Sequence, residues 1–180
     1  MARYAAFLRA VNLGSNRKAS SEELAAAFQA AGLEDVATFQ TSGNVVFEAP
    51  GRTAEAKLVE AIERGLAEEL GFEVPVFLRG ADRAREIAAK RPFPARAVDA
   101  SKGKVQVALL ASAPPAAAKK RVMSLASERD RLTIDGAELY WLPSGGTQES
   151  TLDLRAIASA VGPSTVRTQG TIERLAAKYF

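Results

Sequence analysis

Cysteine and histidine are both absent from this chain of 180 residues. Without cysteine there can be no disulfide, no iron–sulfur cluster and no thiol nucleophile. Without histidine, the commonest general base and most transition-metal sites are excluded. Any chemistry must therefore use carboxylates, hydroxyls, lysine, tyrosine, arginine or a borrowed cofactor. The sequence assigns no catalytic residue, no metal and no cofactor, and it leaves open whether the protein is an enzyme.

Long apolar runs are missing as well. No stretch approaches the ~20 apolar residues that a membrane helix requires. The apolar start of the chain is interrupted at Arg9, too early for a signal peptide. Hydrophobic residues make up 47% of the chain and charged residues 25%, as is usual for a globular protein. We therefore expect a cytoplasmic protein with no membrane partner, and nothing in the sequence indicates its oligomeric state.

The two halves of the chain differ in charge. Residues 1–80 carry 8 Lys or Arg against 11 Asp or Glu, whereas residues 81–180 carry 16 against 10. A basic half can face an anionic partner such as nucleic acid. Opposite charges can equally help two halves to dock, and charged helix faces are normally just solvated. The charge pattern alone therefore leaves both explanations open.

Apolar patterning in the first half predicts a known supersecondary order. Short apolar runs at 4–8, 36–40, 45–48 and 74–78 predict strands, and apolar stripes after residue 20 and across 58–70 predict helices. The first helix begins at a capping box made by Ser20 and Glu23. The resulting order, β-α-β-β-α-β, is that of the ferredoxin-like plait.

The second half repeats this pattern after a short helix and a connector rich in Pro and Arg at 90–104. Strands are predicted at 105–110, 131–134 and 138–142, the last two joined by a hairpin turn at Asp135-Gly136. Residues 150–153 are expected to cap a helix, 165–167 could form a closing strand, and the chain ends in an amphipathic helix. We predict an α+β protein with two ferredoxin-like subdomains, residues 1–80 and 81–180, with antiparallel sheets.

Two polar segments, residues 9–18 and 41–44, follow the first and second strands. In a plait these two strands run in the same direction, so both segments should meet at one edge of the sheet, beside the N-terminus of the first helix. Backbone N–H groups and nearby cations favour an anion there. We expect the Arg9 and Asn44 side chains to point into a shared cleft. The candidate ligand-binding residues of this half are Arg9, Asn12, Asn16, Lys18, Ser42 and Asn44.

A structural explanation of the same residues stays open. Gly and Asn are the usual residues of tight turns, so Gly43 and Asn44 can simply supply positive φ. Ser20 can simply cap the helix, and Arg9 can pair with a carboxylate. A Ser42 nucleophile with Lys18 as its base is conceivable, although nothing in the spacing requires it.

Both segments resemble the signatures of a known family. Residues 8–18 resemble the opening signature of the bacterial "domain of unknown function 1697" proteins, Leu-Arg-Gly-Ile-Asn-Val-Gly-Gly. Residues 38–47 are similar to the second signature, Gln-Ser-Gly-Asn-Val-Val-Phe. The resemblance implies two ferredoxin-like subdomains and no established activity.

The C-terminal signature of that family, Thr-x-Arg-Asn-Trp-Asn-Thr, corresponds to residues 165–171. Arg167 and Thr171 match it, whereas Thr168, Gln169 and Gly170 replace Asn, Trp and Asn. The resemblance therefore implies Arg167 as a contribution of the second half to the ligand site. If the replaced side chains build part of that site, this protein has lost or altered its ligand.

The sequence thus favours a small anionic ligand, bound at the loop after the first strand and the turn after the second. Single-stranded nucleic acid is an alternative partner, because plaits can present aromatic rings on an open sheet face. The strands are apolar on both faces, however, which predicts a sheet covered on both sides. A protein-interaction module is a third possibility, with the last helix as its contact surface unless that helix packs on the chain's own core.

Overall fold

A computed structural model describes residues 1–12 and 17–180 of the chain. Two compact units are present: residues 1–86 together with 175–180, and residues 87–174. The division of the chain into subdomains at 1–80 and 81–180 remains a prediction.

The first unit contains a four-stranded antiparallel sheet in the order β2-β3-β1-β4. Two helices connect its strands in the order predicted from the sequence, which confirms the ferredoxin-like plait. Its elements are β1 Ala2–Leu8, α1 Ser21–Ala30, β2 Glu34–Thr38, β3 Asn44–Ala49, α2 Glu55–Leu70 and β4 Val76–Gly80.

Two helices follow, α3 at Ala81–Ala89 and α4 at Ala95–Ala100. The second of these lies in the stretch predicted as an irregular connector. Pro94 precedes it as the N-cap residue, and the helix has no buried residue. A helix of six residues without an apolar stripe has no hydrophobic periodicity, so the sequence pattern could not predict it.

The second unit repeats the sheet in the equivalent order, β6-β7-β5-β8. The closing strand is confirmed, because β8 pairs antiparallel with β5. The helix after β7 begins at Leu154, and its N-cap is Asp153, whose side chain accepts a hydrogen bond from the Ala156 backbone N–H. Ser150 is therefore not its cap. The elements are β5 Gln106–Leu110, α5 Ala116–Met123, β6 Asp130–Asp135, β7 Glu138–Pro143, α6 Leu154–Val161 and β8 Ser164–Thr168.

The chain ends in the predicted amphipathic helix, α7 at Gln169–Tyr179. Ile172 and Leu175 are completely buried, so its apolar stripe is covered by the chain itself. The Tyr179 ring packs edge-on against Phe39, with ring centroids 6.0 Å apart. In the part of the chain that the structure describes, no helix is long and apolar enough to cross a bilayer.

Strand β1 is buried on both faces, as the apolar patterning predicted. Ala5, Ala6 and Phe7 have no exposed surface. On the face toward α1 and α2, Phe47 stacks on Tyr4 at 5.6 Å and meets the edge of Phe28 at 5.4 Å. Burial of such side chains contributes about 1.5–3 kcal/mol each. This cluster anchors β1 and therefore fixes where the following loop begins.

Strand β2 lies at one edge of the first sheet. Its register against β3 shifts between Glu34 and Ala37, and Asp35 adopts a left-handed φ of 46°. Arg3 forms an ion pair with Asp35 and donates a hydrogen bond to the Tyr179 carbonyl at 3.2 Å. The irregular edge strand is thus held by a side chain from β1.

Candidate functional site

The loop after β1 and the turn after β2 lie side by side. The Leu8 N–H donates to the Gly43 carbonyl at 2.8 Å, and the Asn12 side-chain amide donates to the Thr41 carbonyl at 2.6 Å. This confirms the predicted convergence for the described part of the loop. The predicted site residue Asn16 falls at 13–16, outside the described residues.

Asn12 holds this loop in place through both ends of its side chain. Its Oδ1 accepts the Ala19 N–H at 3.0 Å while its Nδ2 donates across to the β2–β3 turn. Its own N–H donates to the Arg17 carbonyl at 2.7 Å, which closes the base of the loop. Asn12 therefore connects the β1 loop, the approach to α1 and the neighbouring turn.

The backbone at this edge is left-handed at several positions. Ala10 has φ 59°, Asn12 60°, Gln40 59° and Gly43 71°. Gly43 supplies the positive φ expected in the turn, but Gln40 rather than Asn44 is the second residue to do so. Asn adopts this conformation readily, whereas Ala pays about 1–2 kcal/mol. In the family signature quoted above, Gly stands where this chain has Ala10, so this chain carries backbone strain at that position.

An open groove of about 480 Å³ lies between this loop, the turn and the start of α1. Two of the predicted site residues, Asn12 and Lys18, line it. The other lining residues come from the first turn of α1, the residues just before it and the turn between β2 and β3. They are Ala19, Ser20, Ser21, Glu23, Leu24, Gln40 and Thr41.

Asn44 and Ser42 build the turn rather than the groove. Asn44 has no exposed surface, and its amide donates to the Phe39 carbonyl at 3.0 Å and to Ser42 Oγ at 2.9 Å. The expectation that the Asn44 side chain points into an open cleft is therefore wrong. A buried amide at a strand start must satisfy its donors internally, and the turn provides the acceptors.

The N-terminus of α1 carries the predicted capping box. Ser20 Oγ accepts the Glu23 N–H at 3.1 Å, and Glu23 Oε2 accepts the Ser20 N–H at 2.7 Å. The N–H groups of Ser21 and Glu22 have no acceptor within residues 1–12 and 17–180. They are the donors that a helix start normally leaves for water or a ligand.

The cations near this edge are exposed. Lys18 lies in the groove, and Arg17 places its guanidinium 5.6 Å from the Phe72 ring centroid. Arg9 is exposed and does not line the groove. Its guanidinium makes no hydrogen bond or ion pair with any described residue, so the proposed carboxylate partner for Arg9 is not found among them. Among the described residues that line the groove, Glu23 is the only one with a carboxylate.

Arg167 lies in the second unit, on β8 opposite Val107 of β5. Its Nη1 donates to Thr165 Oγ1 and to the Val166 carbonyl, both at 2.8 Å. Burial lowers the pKa of the Arg167 guanidinium to about 10, and it remains charged at neutral pH. Its approach to the groove of the first unit remains a prediction.

The second unit contains a polar network that the sequence analysis missed. Asp130 is only 2% exposed, and its Oδ1 accepts the Trp141 indole N–H at 2.8 Å and the Ser150 hydroxyl at 2.7 Å. A signal was available, since the Asp135-Gly136 turn sets the hairpin register. Counting back from that turn pairs Leu132 with Trp141 and places Asp130 diagonally from the indole on the same face.

Comparison with known proteins agrees with this fold. A solved structure, the conserved bacterial protein SP0830 from Streptococcus pneumoniae, is similar with a TM-score of 0.75 at 21% identity, over 99% of this chain and 98% of that one. No curated protein matches. The model of the family described as "Protein of unknown function (DUF1697)" matches residues 1–140. The chain therefore belongs to the DUF1697 family.

Proposed function

We propose that the first unit binds a small anionic ligand in the groove between the β1–α1 loop and the β2–β3 turn. The observation that carries this proposal is the groove itself, about 480 Å³ in volume, with Lys18 and the first turn of α1 in its lining. Helix N-termini favour anions because their free N–H groups and dipole both present positive potential.

The Asn12 contacts support a preorganised site. Asn12 joins the β1 loop to Thr41 and to Ala19, two residues that line the groove. A ligand entering a groove that is already held open loses less affinity to the ordering of loops. The left-handed conformations of Ala10 and Gln40 add backbone strain at the same edge. Strain of this kind tends to persist at ligand-binding sites.

Charge sets the expected orientation of the ligand. Lys18 supplies the positive charge in the groove, whereas the Glu23 carboxylate is engaged with the Ser20 N–H. An anionic group therefore favours the Lys18 side and the N–H groups of Ser21 and Glu22, which have no acceptor among the described residues. The proposal assigns no catalytic step. Ser42, considered above as a nucleophile, has its Oγ in the turn, where it accepts a hydrogen bond from the Asn44 amide.

The test is a thermal-shift screen with phosphate, nucleotides and carboxylic acids at two salt concentrations. A ligand present at one hundred times its Kd should stabilise the protein by about 2.7 kcal/mol. Lys18→Ala should weaken the shift. The matched control Lys57→Ala removes an exposed lysine from α2, outside the groove, and should leave the shift unchanged.

Two results would contradict the proposal. One is the absence of any shift across the screen. The other is an equal loss of the shift in both lysine variants, because that would indicate nonspecific attraction to net positive charge. No second function is proposed: β1 is buried on both faces, which leaves no exposed aromatic platform on that strand for base stacking.

A further inference from the structure

A second groove, about 310 Å³ in volume, lies in the second unit. It is bounded by the open end of the β6–β7 hairpin, where β6 starts and β7 ends, and by the loop that leads to α6. Its lining is strongly polar. The charged side chains in it are Lys102, Arg129, Asp130 and Glu149. It therefore differs in chemistry from the groove beside α1.

Asp130 is the buried element of this groove. Both of its described side-chain hydrogen bonds, from Trp141 and Ser150, go to Oδ1. Within residues 1–12 and 17–180, Oδ2 receives no hydrogen bond, and no cation lies within 4.0 Å of the carboxylate. Oδ2 keeps some accessible surface in the groove, so a donor or cation placed there can bind a carboxylate that is otherwise removed from water.

The rim of the groove carries the opposite charge. Lys102 and Arg129 line it and are both exposed, and neither forms an ion pair with a described residue. Backbone contacts fix these two positions against the loop after β7. The Lys102 N–H donates to the Ser144 carbonyl at 3.0 Å, and the Ser144 N–H donates to the Arg129 carbonyl at 2.7 Å.

The walls of the groove are closely packed. A Cβ at Gly103 would lie 2.3 Å from the Gly145 carbonyl oxygen, and one at Gly145 would lie 2.6 Å from Glu149 Oε2. Ser101 Oγ accepts the Gly103 N–H at 2.9 Å and donates to the Pro143 carbonyl. The backbone contacts at Gly103 leave no room for a side chain, whereas the Glu149 carboxylate beside Gly145 can move, so the loop is held at Gly103.

We propose that this groove binds a free α-amino acid, with its ammonium at Asp130 Oδ2 and its carboxylate at Lys102 and Arg129. The charge balance of the lining, two cations and two carboxylates, selects a zwitterion. A simple anion would meet Asp130, and a simple cation would meet the basic rim. A metal ion is disfavoured because the described residues offer no cluster of three or more acidic, histidine or cysteine ligands.

Trp141 fluorescence can report ligand binding at Asp130, because Trp141 is the only tryptophan in the chain and its indole donates a hydrogen bond to the Asp130 carboxylate. The experiment is a titration of Trp141 fluorescence with each of the twenty amino acids. Every amino acid that gives a signal is compared with its analogues lacking the amino group or the carboxylate. We expect at least one amino acid to give a saturable change, with both analogues at least about tenfold weaker.

Asp130→Asn tests the buried partner. An asparagine keeps an acceptor for Trp141 and Ser150 but removes the charge at the groove, so the Kd should rise by about tenfold or more. If that variant fails to fold, the double variant Lys102→Ala/Arg129→Ala provides the test, since both side chains are exposed. It should weaken binding at least as much, whereas Lys104→Ala, an exposed lysine outside the groove, should not.

The proposal is overturned if no amino acid changes either Trp141 emission or the melting temperature at millimolar concentration. It is equally overturned if the analogue without an amino group binds as well as the amino acid, because Asp130 would then have no role. The proposal is also overturned if Lys104→Ala weakens amino-acid binding as much as the double variant does. None of these outcomes bears on the groove beside α1.

Discussion

In the first unit the connection that follows β1, residues 9–20, is long and polar. The equivalent connection in the second unit, residues 111–115, is short and ends in two prolines. The second unit instead has its long connection after β7, at residues 144–153, and the counterpart of that loop in the first unit, residues 50–54, is short.

This exchange changes which end of each sheet carries polar groups. β1 runs antiparallel to β3, and β5 runs antiparallel to β7, so the two kinds of connection leave opposite ends of their sheets. Each unit has a groove beside its own long connection. The comparison shows that one plait topology can carry a site at either end, because a site is built by loops on a common scaffold.

The aromatic cluster under β1 should give the largest effect when it is broken. Phe47→Ala removes a fully buried ring that contacts both Tyr4 and Phe28. We expect the free energy of unfolding to fall by about 3–5 kcal/mol, measured by urea denaturation followed by far-UV circular dichroism. Val166→Ala, at a side chain that is 45% exposed, is the control and should change it by less than about 0.5 kcal/mol.

The Asn12 contacts should give the next largest effect, and they exist only in the long loop of the first unit. Asn12→Ala removes two hydrogen bonds and places Ala at φ 60°. Unfolding should become easier by about 2–3 kcal/mol. Asn12→Gly loses the same hydrogen bonds without the left-handed penalty, so it should cost less. Equal losses in the two variants would show that the backbone conformation contributes nothing.

Ala10 should give the smallest effect, and one of opposite sign. Because its φ is 59°, Ala10→Gly should relieve strain and raise the free energy of unfolding by up to about 1 kcal/mol. Ala111, which directly follows β5 in the second unit, is not among the described residues with positive φ. Ala111→Gly should therefore destabilise by about 0.4–1 kcal/mol. A shift of the same sign in both variants would contradict this interpretation of Ala10.

Features set by neighbouring residues were predictable from the sequence. The Ser20–Glu23 capping box and the turn after Asp135 are both present in the structure. Each depends on backbone conformation within a few residues, so the local pattern is sufficient. The strand order followed from those elements, because a plait has only one such arrangement.

Features set by tertiary burial were not predictable. Asn44 has the residue type of a turn or a ligand contact, yet it is completely buried, and only the folded turn shows where its amide donates. Ser150 stands where a helix cap is expected, but its hydroxyl bonds to Asp130 from a different strand. Alanine at position 10 does not itself indicate a left-handed backbone, because it is compatible with either strand or helix, and only the glycine at this place in the family signature indicates one.

The irregular edge strand β2 has a consequence for how copies of this protein behave together. A regular edge strand presents a row of unpaired N–H and C=O groups on which another chain can assemble as an additional strand. The register shift between Glu34 and Ala37 interrupts that row, and the exposed carboxylate of Glu34 adds repulsion between like copies. Arg3, by forming an ion pair with Asp35, helps to hold the edge in a shape that resists sheet-to-sheet aggregation at high protein concentration.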